Sequence, residues 1–140
     1  MNTLHFEPQL SFERVAPTRQ RWVLVLESDR LINALITEWL HMSGWATLCV
    51  HDTARVEALA CRCDLVLADV PAPLKSAREF VSRLTDAMPG TPVIAMSADL
   101  PAHGKFASAA LARELGADAM LVKPFNREAL QYAIRQAAAI

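Results

Sequence analysis

The sequence predicts a doubly wound α/β domain, with five short parallel strands between helices. Three observations carry that reading. Five compact apolar runs recur along the chain, at residues 23–26, 47–50, 65–68, 93–96 and 119–122. Segments with helical spacing separate them. Thr47 apart, each run is apolar at every position rather than at alternate ones, as expected of strands covered on both faces.

Taken in order, residues 1–20 show no sustained periodicity and are interrupted by Pro8 and Pro17. They read as a poorly ordered arm, although Leu4, Phe6, Leu10 and Phe12 could dock on the domain that follows, residues 21–140. The first strand ends in Glu27, Ser28 and Asp29. Ile32, Leu35, Ile36 and Trp39 then share one helical face, and Gly44 is placed to end that helix in the left-handed conformation. The second strand ends in His51 and Asp52. The third, DLVLADVPAP, delivers Asp69 to its end and is stopped by Pro71 and Pro73.

Phe80, Val81, Leu84 and Met88 mark the next helix, with Ser76 and Glu79 at capping-box spacing. Thr91 and Pro92 precede the fourth strand, where a missing N–H does little harm. SAALAREL reads as an ordinary helix ending at Gly116. The fifth strand leads to Lys123 and Pro124, Asn126 suits a helix N-cap, and Leu130, Ala133, Ile134 and Ala137 repeat the amphipathic spacing. Trp22, Trp39 and Trp45 are expected in the core or at its margins.

Composition narrows the function. The chain has 140 residues, 53% of them hydrophobic, enough for one domain with a substantial core. A net charge of −1 supplies no basic field for nucleic acid. No apolar run is long enough for a membrane span, and the first residues lack the apolar block of a signal peptide, so a cytoplasmic location is expected. Cys49, Cys61 and Cys63 read as reduced thiols, since no second pair of ligands stands at zinc spacing. His41, His51 and His103 are scattered and read as surface or boundary residues. The four glycines form no phosphate-binding array, and Asp69 lacks a second Asp two residues on, which argues against a nucleotide-binding enzyme or a phosphatase.

Parallel strands bring their C-terminal ends to one edge, where such folds place their sites. Glu27, Asp69, Ser97 and Lys123 therefore converge in expectation. Clustered carboxylates need a cation among them. Oxygen ligands with positions left to water suit Mg²⁺. An ionised carboxylate is also a nucleophile toward phosphorus. The group reads as a site built to hold an aspartyl phosphate, with Lys123 and the metal offsetting its charge and the Ser97 hydroxyl bonding a phosphoryl oxygen.

VLVLESD, DLVLADVPAP, VIAMSA and LVKPF, in that order at the strand ends, resemble the receiver domain of bacterial two-component response regulators. The resemblance runs from Trp22 to the end of the sequence. It implies a flavodoxin-like (βα)5 fold with strand order 2-1-3-4-5. It implies Asp69 as phosphoacceptor, Ser97 as switch hydroxyl and Lys123 as the phosphate-contacting lysine. The implied Mg²⁺ ligands are Glu27, Asp69 and the Pro71 backbone carbonyl, with Ser28 a marginal fourth. It further implies a cis Lys123–Pro124 bond.

Four departures from the family pattern imply an atypical receiver, if the resemblance holds. Ser28 stands where the family usually places a second acid, and is more readily a helix cap than a ligand; Asp29, one residue on, can also cap that helix. Weak Mg²⁺ binding is expected in consequence. Met120 replaces the usual aromatic residue. Pro71 and Ala72 replace the usual residues between Asp69 and Pro73, and the segment after Ser97 is lengthened.

The function implied is that of a stand-alone switch, not an enzyme beyond its own phosphorylation and dephosphorylation. It would take a phosphoryl group from a histidine kinase or histidine phosphotransfer protein. It would then act through a homodimer or target docked on the fourth helix, fifth strand and fifth helix. The alternative is a degenerate receiver that docks proteins without phosphorylation. A small flavodoxin-like cofactor binder is a third class, weakened by the missing glycine-rich loop.

Overall fold

A computed structural model of the chain describes residues 19–51, 62–100 and 105–138. Residues 1–18, the predicted helix between the second and third strands, Asp52, Cys61 and His103 lie outside the described residues. The elements in order are β1 Trp22–Leu26, α1 Arg30–Met42, β2 Ala46–Val50, β3 Leu65–Asp69, α2 Leu74–Ala87, β4 Val93–Ser97, α3 Lys105–Leu115, β5 Ala119–Val122 and α4 Arg127–Ala138. The strands form one parallel sheet in the order β2-β1-β3-β4-β5, as the sequence implied.

Continuous apolar runs become strands here because both faces are covered. Leu65, Val66, Leu67 and Ala68 of β3 are each fully buried. Successive side chains point to opposite faces. Leu24, Leu26, Val66, Ala68, Val93 and Ala95 pack with Phe80, Val81 and Leu84 of α2 and with Leu111 and Leu115 of α3. Val23, Val25, Leu65, Leu67, Ile94 and Met96 pack on the other side with Ile36 and Leu40 of α1 and Leu130 and Ile134 of α4. Burying each large side chain contributes roughly 1.5–3 kcal/mol. Among the described residues, no helix is long and apolar enough to cross a membrane.

Helix ends follow the sequence signals with two corrections. Gly44 and Gly116 adopt φ of 88° and 80°, the left-handed conformation expected after α1 and α3. Asn126 caps the last helix through a 2.8 Å bond from the Ala129 N–H. At α1, however, the cap is Asp29, whose Oδ1 accepts from the N–H groups of Leu31 and Ile32; the cap expected of Ser28 is not made. At α2 the helix starts directly after Pro73, so Ser76 lies inside the first turn and the predicted capping box does not form.

The α1 stripe also differs from expectation. Its buried residues are Asn33, Ile36 and Leu40, while Leu35 is 46% exposed. Hydropathy alone sends Asn33 to solvent and so rotates the apparent stripe toward Leu35. Trp45 is buried, Trp39 is half-buried against Phe125, and Trp22 lies exposed at the margin. Arg19 and Gln20 rest on the domain, Arg19 through Asp64 and Gln20 through the Gly44 carbonyl.

Candidate functional site

The site is built where the strands stop. Glu27 follows the last residue of β1, Asp69 and Ser97 end β3 and β4, and Lys123 follows β5. Register brings the ends level: Asp69 pairs with Met96, Ser97 pairs with Val122, and the Lys123 N–H donates to the Ser97 carbonyl at 2.9 Å. Glu27 continues the alternation of Val23 and Val25, Asp69 that of Leu65 and Leu67, and Lys123 that of Ala119 and Leu121. All three share one parity, on the α1 and α4 side. Ser97 continues the parity of Val93 and Ala95, which pack in the same cluster as Met120.

Parity explains which groups meet. The Lys123 ammonium lies 2.6 Å from Glu27 Oε1 and 2.9 Å from Asp69 Oδ1. The Glu27 side chain is 2% exposed and that of Asp69 35%, so Asp69 is the carboxylate a reactant can reach. Ser97 is buried, and its Oγ accepts from the N–H groups of Asp99 and Leu100 at 3.0 and 3.3 Å. It thereby makes the turn after β4, and as both contacts use the oxygen, its hydroxyl hydrogen remains available for donation.

The electrostatics are asymmetric. Burial pushes the Asp69 carboxyl above its ordinary value of 3.8; the Lys123 hydrogen bond and charge oppose this, and the charges of Glu27 and Asp99 add to it. For Lys123, burial works against the charged form. Hydrogen bonds and charges from Glu27 and Asp69 outweigh it and hold the ammonium above its ordinary 10.5. One ammonium serves two carboxylates.

Glu27 is held on every side. Its N–H donates to the Val50 carbonyl at 3.2 Å, and its Oε2 accepts from the Asp29 N–H at 3.0 Å. Its carbonyl faces Asn33 Nδ2 at 3.2 Å and His51 Nδ1 at 3.1 Å. Sequence reasoning missed Asn33 and placed His51 only at a boundary. The available signal for Asn33 was a short amide three and seven residues before the apolar Ile36 and Leu40. Asp99 was also missed; its charge reaches Asp69 from the loop after β4.

A hard cation fits this donor set only weakly. Among the described residues, no three His, Cys, Asp or Glu side chains are arranged to hold a metal. Both Glu27 oxygens are engaged and Asp29 caps a helix, which leaves the Asp69 carboxylate as the charged group of this cluster that a cation can approach. A cation held there would keep most of its ligands as water, which Mg²⁺ tolerates. The Lys123–Pro124 bond is cis, as implied, and so is Ala72–Pro73. Met120 is buried beside Leu100, Leu111 and Ala112.

A doubly wound sheet gathering an accessible aspartate, a buried glutamate and a lysine at its carboxyl edge defines a receiver-type signalling domain. The comparisons agree: the model of the response regulator receiver domain matches residues 23–135, and the chain belongs to that family. It is 36% identical over 114 residues to the transcriptional regulatory protein CpxR of Klebsiella pneumoniae, and 34% identical to that of Escherichia coli K12. Each match covers 81% of this chain and 47% of the relative. The chain thus spans about half the length of the curated relatives it matches.

Among solved structures, chemotaxis protein CheY4 of Vibrio cholerae matches with a TM-score of 0.66 at 23% identity, covering 85% of this chain and 99% of that one. The receiver domain of the Pseudomonas aeruginosa sensor histidine kinase PA1611, solved with magnesium in its active-site cleft, gives 0.66 at 21% identity. That match covers 87% of this chain and 100% of the other. Receiver domains are signalling proteins, and phosphoryl acceptance and Mg²⁺ binding are general to the family.

Proposed function

We propose that this receiver accepts a phosphoryl group on Asp69 from the phosphohistidine of a histidine kinase or phosphotransfer protein, in the cytoplasm, and signals by a change in partner binding. The observation that carries the reading is the 2.9 Å contact between the Lys123 ammonium and the more exposed carboxylate of the cluster.

The chemistry follows from the groups present. An Asp69 oxygen attacks phosphorus, the P–N bond to the imidazole breaks, and its electron pair stays on the ring nitrogen, which takes up a proton. Lys123 offsets the charge brought in by the phosphoryl oxygens. Ser97 can turn its hydroxyl hydrogen toward one of them, a rotation that Met120, on the same side of the sheet, accommodates by repacking. Mg²⁺, when bound by Asp69, the Pro71 carbonyl and water, supplies further charge neutralisation. Glu27, held by Lys123 and the Asp29 N–H, acts through its charge. The face of α3, β5 and α4 is the surface through which a target or second copy would sense the change.

Ser28 and Met120 favour a second reading, docking without phosphorylation. Intact-mass analysis after incubation with acetyl phosphate and Mg²⁺ separates the two. A gain of about 80 Da, one HPO₃, that is absent in Asp69→Asn supports the switch. No gain at any Mg²⁺ concentration leaves only the docking module.

A further inference from the structure

We propose that Asn33 is a positioning residue for the phosphoacceptor site, fixing the corner that aims Glu27 at Lys123; this rests on the reading of Asp69 as phosphoacceptor.

Asn33 is 4% exposed, on the buried face of α1. A buried amide without partners is destabilising, so its position demands a matching set of groups. That set is present and has only one possible polarity. The Glu27 carbonyl can only accept, so Asn33 turns its Nδ2 toward it, at 3.2 Å. Asn33 Oδ1 must then accept, and Thr37 Oγ1 donates to it at 3.2 Å. The Thr37 hydrogen being used, the Cys49 thiol donates to Thr37 Oγ1 at 3.3 Å. A directed chain thus runs from β2 through α1 to the end of β1.

The end of β1 needs such support. The ladder closes with Leu26, which pairs with Val50 and Ala68, so the Glu27 carbonyl lies beyond the last paired residue. Asn33 supplies a donor in place of a neighbouring strand, and His51 supplies a second. The Asn33 N–H also bonds the Asp29 carbonyl at 2.9 Å. One residue thereby grips both ends of the segment Glu27, Ser28, Asp29. Within that segment the Asp29 N–H holds Glu27 Oε2, and Glu27 Oε1 meets Lys123 at 2.6 Å. Without the Asn33 amide the corner retains its helix cap but loses the bond that sets its angle to the sheet.

Asn33→Leu removes the amide at similar volume, and Thr37→Val removes the hydroxyl that orients it. Two measurements on the full chain decide the matter: the rate of phosphorylation by acetyl phosphate, and hydrogen exchange of the Asp29 amide relative to the Leu67 amide of β3. For Asn33→Leu, phosphorylation is expected to slow about tenfold and Asp29 exchange to rise about tenfold, with Leu67 exchange unchanged. Thr37→Val should move both in the same direction by about threefold. Wild-type values for Asp29 and for phosphorylation in a folded Asn33→Leu overturn the proposal, as does equal loss of protection at Asp29 and Leu67. If Asn33→Leu does not fold, Thr37→Val decides on the same criteria. A wild-type chain that gains no phosphoryl group sinks the phosphoacceptor reading, while the exchange comparison still decides whether Asn33 fixes the corner.

Discussion

Lys123 and Glu27 stand 96 residues apart in sequence and on opposite sides of two intervening strands, yet their side chains meet at 2.6 Å. The contact is nearly buried, with side-chain exposures of 14% and 2%. Removing one partner of such a pair leaves an uncompensated charge. Lys123→Met should therefore destabilise the domain by about 3 kcal/mol in urea unfolding. Adding Glu27→Gln should recover most of that loss. Additive effects of the two substitutions would show that the pair is not coupled.

Two aspartates respond to pH with opposite sign. Asp64 is held below its ordinary 3.8, first by the Arg19 hydrogen bond and then by the Trp22 N–H, so its contribution is present above that value and lost as pH falls through the folded-state value. Asp69 is raised by burial, so ionising it costs the folded state stability at neutral pH, a cost that disappears in acid where it is protonated in both states. Thermal unfolding at pH 7 should show Asp64→Asn less stable than wild type. Asp69→Asn should be equal to it or more stable, and both differences should shrink below about pH 3.

Ser28 offers a test by gain. Ser28→Asp adds a carboxylate next in sequence to Glu27, where the family usually has a second acid. Mg²⁺ should bind about tenfold more tightly, read by calorimetry. Unchanged affinity would mean that residue 28 does not face the cation.

Ser97 takes no part in the ion pairs: its Oγ accepts from the Asp99 and Leu100 N–H groups. Ser97→Ala should leave the Lys123 contacts intact and phosphorylation by acetyl phosphate within about threefold of wild type, since the hydroxyl serves the product rather than the nucleophile. What should disappear is the phosphorylation-dependent change in α3 and β5, monitored by amide chemical shifts. A full shift response in Ser97→Ala would remove the hydroxyl from the switch.

The fold was legible because its central strands are buried on both faces. Runs such as Leu65 to Ala68 leave no alternation to misread, and Gly44, Gly116 and Asn126 mark their helix ends through local chemistry. Asp69, Ser97 and Lys123 could be grouped because parallel topology sends every strand end to one edge. What the sequence concealed depends on neighbours distant in the chain. Asn33 looks like a solvent residue until Glu27 and Cys49 arrive from two other elements. Ser76 has the spacing of a cap, but α2 begins too early for it to serve. The different parity of Ser97 was legible in principle, since counting alternate residues back along β3, β4 and β5 gives each strand end its place in the alternation.

The most direct measurement is chemical mapping of the modified residue. Treating the acetyl-phosphate-incubated protein with borohydride reduces an acyl phosphate to an alcohol, converting a phosphorylated aspartate to homoserine, and peptide sequencing then locates it. Homoserine at position 69, and at no other acid, is the predicted result. Homoserine at Glu27's neighbour Asp29, at Asp99, or nowhere in a chain that remains folded would contradict the assignment of Asp69 as phosphoacceptor.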